Sequence, residues 1–371
     1  MQGDYFFLPL EHVIFGAGSL ERLPGELERL KVLRALIITG QSLATKTGIV
    51  RKVEETLGAA HAGTFSAIRQ HTPESDVARA VEEARRVQTD ILISLGGGSP
   101  IDATKAVARA LAQSGGQYLP HLAIPTTLSA AEFSHLAGVT NESGGQPIKA
   151  GFVDVAVTPR VVLLDPVLTL ETPLPLWLST GIRALDHAVE ALYAPGAHPV
   201  NDVLALEAIK KLFAALPACQ SDPANLDTRL ELQLAAWFSF FDEFNTRMGL
   251  SHNIGRRLGA TYNIPHGITS CIALAPVMRL LAPVHTQALA RIAGILNLPE
   301  ARSGDDLDAA RAAAGAVAGL VSRLGLPNRL GSFGLDRPAL VKAVESVGAT
   351  PNRPNTWWAR CSEGKSGLRS V

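Results

Sequence analysis

The stretch Ser251 to Gly267, S-H-N-I-G-R-R-L-G-A-T-Y-N-I-P-H-G, gathers reactive side chains between two long apolar runs that read as buried helix. His252 and Arg256 stand four residues apart, so a helix places them on one face. Pro265 is expected to end that helix and leave His266 in the following turn. Imidazoles can ligate a metal or move a proton near neutral pH, and a guanidinium grips carboxylates. Taken singly, each histidine also reads as a hydrogen-bonded core residue, so the rest of the chain has to decide.

A second dense polar segment is Thr180 to Glu190, T-G-I-R-A-L-D-H-A-V-E. Arg183 and His187 form another i, i+4 pair, as do Asp186 and Glu190. One charged turn of this kind reads equally well as a solvated face. Two helices that each carry an arginine and a histidine one turn apart are harder to dismiss.

A third group lies earlier, where the apolar run I-L-I-S-L ends in Gly96-Gly97-Gly98-Ser99 and a helix follows. Glycines let a ligand approach the backbone, and the free N–H groups of the next helix suit an anion such as a diphosphate. The spacing is not that of the alternating-glycine dinucleotide fingerprint, and a plain tight turn stays open as a reading. Asp102 could cap that helix or hold a ligand hydroxyl. Thr126 and Thr127 follow the next strand, at the edge where open α/β sheets bind ligands. Gly40 ends the first central strand, where an acid often holds a ribose hydroxyl. A glycine there leaves room for a further phosphate.

These groups need elements to position them. Strand-length runs at Val13 to Gly16, Ala35 to Thr39, Thr64 to Ile68, Ile91 to Leu95 and His121 to Ile124 alternate with helical patterns, which predicts a parallel α/β sheet. One of those helices opens at Thr72-Pro73-Glu74, with Thr72 as its expected N-cap. Val139 to Val157 carries a turn cluster and reads as a hairpin, and Val161 to Leu164 reads as the last strand. Beyond Leu168 the periodicity is helical, over Thr180 to Tyr193, Asp202 to Leu216, Asp227 to Phe241, Gln287 to Leu296, Asp306 to Leu324 and Pro338 to Val347. The expected organisation is an α/β domain over residues 1–166 and a helical domain over 167–371.

Composition agrees with two packed domains: 371 residues, 47% hydrophobic and 18% charged. The 34 basic residues balance 34 acidic ones, which argues against nucleic acid or an anionic membrane as partner. No apolar run is long enough to span a bilayer, and the first residues do not read as a signal peptide. Three scattered cysteines, Cys219, Cys271 and Cys361, suggest neither a disulfide framework nor a cysteine zinc site. A cytoplasmic protein is expected.

In order along the chain stand Gly96-Gly97-Gly98-Ser99 with Asp102 and Lys105; Pro125-Thr126-Thr127 with Ser129 and Glu132; Lys149; Leu164-Asp165-Pro166; Ala184 to Glu190; and Leu258-Gly259 through Pro265-His266-Gly267. Asn352-Arg353-Pro354 comes last. Jointly these resemble the iron-containing (group III) alcohol dehydrogenases, a family that includes maleylacetate reductases and is related to glycerol dehydrogenase and dehydroquinate synthase. The resemblance implies a Rossmann-like N-terminal domain, an all-α C-terminal domain and a cleft between them, in a homodimer. NAD(H) or NADP(H) is then expected on Gly40, Gly96, Gly97, Gly98, Ser99, Asp102, Thr126, Thr127, Ser129 and Lys149.

In metal-bearing members the ligands are an aspartate, a histidine four residues later, and two more histidines. By position His187, His252 and His266 match the histidines, while Arg183 stands at the aspartate position. Arg256 replaces a further histidine credited with proton relay. Exchanging a carboxylate for a guanidinium removes a ligand and adds a fixed positive charge, which opposes iron or zinc. Maleylacetate reductases also lack the aspartate and are considered to work without metal, although they generally retain the histidine that is Arg256 here. The resemblance therefore implies NAD(P)H-dependent reduction of a small carbonyl compound, a keto or unsaturated carboxylic acid. Hydride comes from the nicotinamide and the proton from His252 or His266, with His187 the next choice. Arg183 and Arg256 hold or polarise an anionic substrate. A lyase or isomerase on the same scaffold, a metal enzyme using only the three histidines, and a catalytically silent subunit are the competing readings.

Overall fold

The structure, a computed structural model, describes residues 5–142, 148–194, 198–240 and 248–335, with residues 338 and 341. Six strands make one parallel sheet: β1 (His12–Phe15), β2 (Ala35–Thr39), β3 (His61–Phe65), β4 (Ile91–Gly96), β5 (His121–Pro125) and β8 (Val161–Leu164). Their order is β1-β8-β5-β4-β2-β3, and every neighbouring pair is parallel. Between β5 and β8 an antiparallel hairpin, β6 (Leu136–Asn141) and β7 (Ile148–Val153), stands apart from this sheet. β2 and β4 are buried at every position, as their largely apolar runs require of strands covered on both faces, and the one polar side chain inside β4, Ser94, is hydrogen-bonded to His121 (2.7 Å).

The helices that cover the sheet are α1 (Leu23–Leu30), α2 (Gln41–Lys46), α3 (Ile49–Leu57), α4 (Glu74–Arg86) and α5 (Gly98–Gln113). One apolar core joins α1 and α3 to one face of the sheet, and another joins α4 and α5 to the opposite face. After β8 the described chain is helical: α6 (Leu174–Ala191), α7 (Pro199–Ser221), α8 (Leu226–Ser239), α9 (Leu250–Tyr262), α10 (His266–Leu281), α11 (Thr286–Ile295) and α12 (Asp306–Arg323). These share a third core built largely from alanine, leucine and isoleucine, with Trp177 and Leu185 of α6 inside it.

Three expectations need correction. Thr72 does not cap α4. Its own φ is +54°, its hydroxyl donates to the Ser99 carbonyl (3.1 Å), and Pro73 occupies the cap position. β3 begins and ends three residues before the expected Thr64 to Ile68, because the polar pair His61 and Thr64 is accommodated by Glu54 alongside it. His266 is not in a turn. Asn263, left-handed at φ +54°, closes α9, and Pro265 caps α10 so that His266 is its first residue. Lys149 lies on β7 with its side chain outside the described residues, as do Asn352-Arg353-Pro354, Cys361 and most of the helix expected over Pro338 to Val347.

Two hydrogen bonds tie the sheet edge to the helical domain. The Thr172 hydroxyl donates to the Thr126 carbonyl (2.8 Å), and the Leu128 N–H donates to the Thr180 hydroxyl (3.1 Å). The loop after β5 is thereby fastened to the segment just before α6 and to the second turn of that helix.

Candidate active site

A cleft of about 940 Å³ opens where the C-terminal ends of β2, β4 and β5 face α6, α9 and α10. Gly40, Gly96, Gly97, Gly98, Ser99, Asp102, Thr126, Thr127 and Ser129 line one end, and Arg183, His187, His252, Arg256 and His266 line the other. The sequence-predicted residues whose side chains are described thus meet in a single space.

The glycine end is shaped by close approach. Gly96 has φ +138°, which side chains rarely adopt. A Cβ on Gly97 would lie 3.0 Å from the Thr127 methyl, and one on Gly40 would lie 3.3 Å from the Ile68 carbonyl. The Thr127 hydroxyl is buried without a hydrogen-bond partner, an orphan group at the cleft wall. Gly98 begins α5, whose long axis presents free N–H groups to the loop. Such a cradle fits the diphosphate of a dinucleotide. Asp102 lines the cleft and also accepts from the Gly138 N–H (3.1 Å), bracing the β6–β7 hairpin. Behind it Lys105, fully buried, donates to the Ala131 and Leu136 carbonyls and the Ser134 hydroxyl at 2.7, 2.9 and 2.9 Å. Burial lowers its pKa to about 8.

The helical end is a network of buried charge. Arg183 Nη2 lies 2.8 Å from His252 Nε2. Its Nη1 donates to Ser270 Oγ at 3.1 Å and pairs with Asp186 Oδ2 at 3.5 Å, and the Ser270 hydroxyl donates to that same Oδ2 at 2.6 Å. A guanidinium has only donors, so His252 Nε2 accepts and the neutral ring carries its proton on Nδ1. Burial, reinforced by Arg183, holds the His187 and His252 imidazoles well below the usual histidine range. The two rings stand 5.6 Å apart between centroids, and Phe240 closes the other side of His187 at 5.3 Å.

Glu190 performs a task that the sequence did not announce. Its carboxylate accepts from the backbone N–H of Gly249 (2.8 Å), Ser251 (2.7 Å) and, more weakly, His252 (3.4 Å), and from the Tyr193 hydroxyl (3.1 Å). A side chain of α6 therefore caps α9 and sets the height of His252 against Arg183. Burial and the neighbouring Asp186 push Glu190 up to about 8, against the pull of those amides. Gly249 is glycine because a Cβ there would fall 2.4 Å from Glu190 Oε1. The available signal was two carboxylates, Asp186 and Glu190, one turn apart on a helix flanked by apolar residues, where buried acids need donors.

Arg256 is the outlier of the group. It is exposed on α9 and reaches toward the hairpin, its Nη2 3.5 Å from where a Cβ of Gly151 would stand. His266 packs its ring against Gly259 of α9. A further cleft residue, His71, escaped the sequence reading, because a lone histidine before Thr-Pro carries no spacing signal.

The donor set can be tested against the metal of the family. Among the described residues no group of three His, Cys, Asp or Glu side chains is arranged to hold an ion. The guanidinium of Arg183 occupies His252 Nε2, one of the two nitrogens a metal could use, and it brings a fixed positive charge in place of a carboxylate. These residues do not fit a metal centre.

Comparisons with known proteins agree with the architecture. Residues 11–166 match the family model for iron-containing alcohol dehydrogenase, and residues 177–356 match that for the C-terminal part of the Fe-containing alcohol dehydrogenase family. A maleylacetate reductase of Burkholderia cepacia is 31% identical over 351 residues, 95% of this chain and 93% of that protein. The crystal structure of maleylacetate reductase from Agrobacterium tumefaciens superposes with a TM-score of 0.82 at 27% identity, covering 98% of this chain and 97% of that one. That of a 1,3-propanediol oxidoreductase gives a TM-score of 0.85 at 26% identity, with 98% of each chain covered. The chain belongs to the iron-containing alcohol dehydrogenase family and is an oxidoreductase.

Proposed function

We propose that this protein reduces a small unsaturated keto acid with NAD(P)H, as a maleylacetate reductase-like enzyme that works without a metal. The observation that carries this reading is Arg183, whose guanidinium occupies the His252 nitrogen and stands where the family places a carboxylate ligand. A fixed cation there can polarise a carbonyl, the task a metal otherwise performs.

NAD(P)H bound on the glycine loop supplies the hydride. The chain's own groups do the rest. Arg183 is held by Asp186, Ser270 and His252, and its remaining N–H groups are left for a substrate oxygen. His252, its Nε2 already taken, is unable to serve as the acid through that atom. His266, at the head of α10 and beside the same cleft, is the proton donor in this reading, with His187 the reserve. Arg256, exposed at the cleft wall, anchors a carboxylate, for which a bidentate guanidinium is well shaped.

Gly40 leaves no acid to repel a 2′-phosphate, so NADPH is accepted alongside NADH. The division of labour follows the chain, with cofactor on residues 1–166 and substrate chemistry on 167–371, in a cytoplasmic homodimer. No described helix is long and apolar enough to cross a membrane.

The test is stoichiometric NAD(P)H oxidation by purified protein with unsaturated keto acids, together with elemental analysis. Turnover that survives exhaustive chelation is the expected result. One tightly bound iron or zinc per chain, lost together with activity, would refute the metal-free mechanism.

A further inference from the structure

The polar groups assigned so far to the reacting end of the cleft all come from the helical domain. One imidazole faces them from the opposite wall. His71 lies between β3 and α4 and lines the cleft. Its ring meets that of His266 edge to face, with centroids 5.5 Å apart and planes at 89°.

The backbone that presents this ring is strained. His71 has φ +64° and Thr72 has φ +54°, two successive left-handed residues of which neither is glycine. Four hydrogen bonds enforce the shape. The His71 N–H donates to Ser99 Oγ (3.1 Å), Thr140 Oγ1 donates to the His71 carbonyl (2.6 Å), Thr72 Oγ1 donates to the Ser99 carbonyl (3.1 Å), and the Thr140 N–H donates to the Thr72 carbonyl (2.9 Å). Glycine or asparagine would take up the His71 conformation at less cost. An imidazole kept there, with the glycine loop and the β6–β7 hairpin both recruited to hold it, makes the ring the reason for the turn.

We propose that His71 is a further catalytic residue, one that touches the substrate by donating a ring N–H to one of its oxygens from the cofactor-domain wall. The proposal rests on the keto-acid reading of the site. It assigns to the substrate an oxygen directed away from Arg183 and Arg256, toward the loop that carries the cofactor. Compounds that lack that oxygen are poor substrates for the same reason.

Full-length His71→Gly and His71→Asn variants test it. Glycine accepts the left-handed backbone and deletes the ring, so folding is preserved or improved. Asparagine accepts the same backbone and returns an amide N–H. The expected result is a loss of about tenfold or more in kcat/KM for the keto acid in His71→Gly, the scale of one hydrogen bond to substrate. Partial recovery is expected in His71→Asn, and NADH and NADPH dissociation constants from fluorescence quenching should stay within about twofold of the parent. Keto-acid kinetics unchanged in His71→Gly would overturn the proposal. So would an equal loss in cofactor affinity, which would place the ring on the cofactor. Failure of the keto-acid reading shows itself separately, as an unmutated protein that turns over no keto acid. The same comparison is then made on whichever carbonyl compound that protein reduces.

Discussion

Removing the Glu190 carboxylate tests whether one side chain of α6 holds α9 in place. In Glu190→Ala the N–H groups of Gly249 and Ser251 lose acceptors at 2.8 and 2.7 Å. Both residues are buried, so each amide left without a partner costs about 1–3 kcal/mol, together about 2–6 kcal/mol. Relief of the crowding between Glu190 and Asp186, the same crowding that helps push Glu190 up to about 8, offsets part of this. A net loss of about 2–4 kcal/mol is the expected outcome by urea denaturation. Glu190→Gln keeps one acceptor and turns an NH2 toward the second amide, so it should lose about 1–3 kcal/mol. Hydrogen exchange localises the effect: protection of both the Gly249 and Ser251 amides should fall in Glu190→Ala, and that of one of the two in Glu190→Gln, while that of β4 is unchanged. Catalysis should fall as well, because His252 rides on the first turn of α9. An alanine variant within about 1 kcal/mol of the parent, with Ser251 still protected, would show that α9 needs no cap from α6.

Arg256→Ala should raise KM for a carboxylate substrate by about 10- to 100-fold, the scale of one charge-assisted hydrogen-bonded pair, and leave KM for an uncharged aldehyde nearly unchanged. Steady-state kinetics on the two substrates decides it, and equal effects on both would remove the anchor role. Arg183→Ala strips the buried Asp186 of its cation and should destabilise the fold by about 3–5 kcal/mol, read by urea denaturation; a loss under about 1 kcal/mol would show that Asp186 is neutral in the folded protein. Glu132 gives a pH prediction. Burial raises its carboxyl from 4.5 to about 7, and one of its oxygens is buried without a partner. A raised carboxyl binds its proton more tightly in the folded state, so its stabilising effect is full below pH 4.5 and is lost as pH rises through 7. Glu132→Gln should flatten the fall in stability over that window, and an unchanged slope would refute the assignment.

Much of the fold was legible because buried parallel strands advertise themselves. Ala35–Thr39 and Val161–Leu164 were bounded correctly from their largely apolar runs, which strands covered on both faces favour. β3 was misplaced because it lies at the edge of the sheet, where HAGTF is partly exposed and a polar pair leaves no pattern. The paired arginine and histidine of two helices line one cleft. What spacing could not supply was direction. Nothing in R-A-L-D-H states that the guanidinium turns toward His252 of another helix, or that Glu190 reaches the amides of α9. His266 was read as a turn residue because Pro265 can end one helix or begin the next, and only the left-handed Asn263 before it decides between them.

The two hydrogen bonds between the loop after β5 and α6 bear on recombination. A chimera of two relatives joined near residue 170 leaves the backbone nearly continuous, and it looks like the natural place to exchange cofactor and substrate halves. That junction separates Thr126 from Thr172 and Leu128 from Thr180, pairs in which one parent must supply a hydroxyl that the other parent's backbone meets. Shuffled libraries should therefore yield active offspring chiefly when the parent that supplies the residues after the junction carries both Thr172 and Thr180, whatever the overall identity.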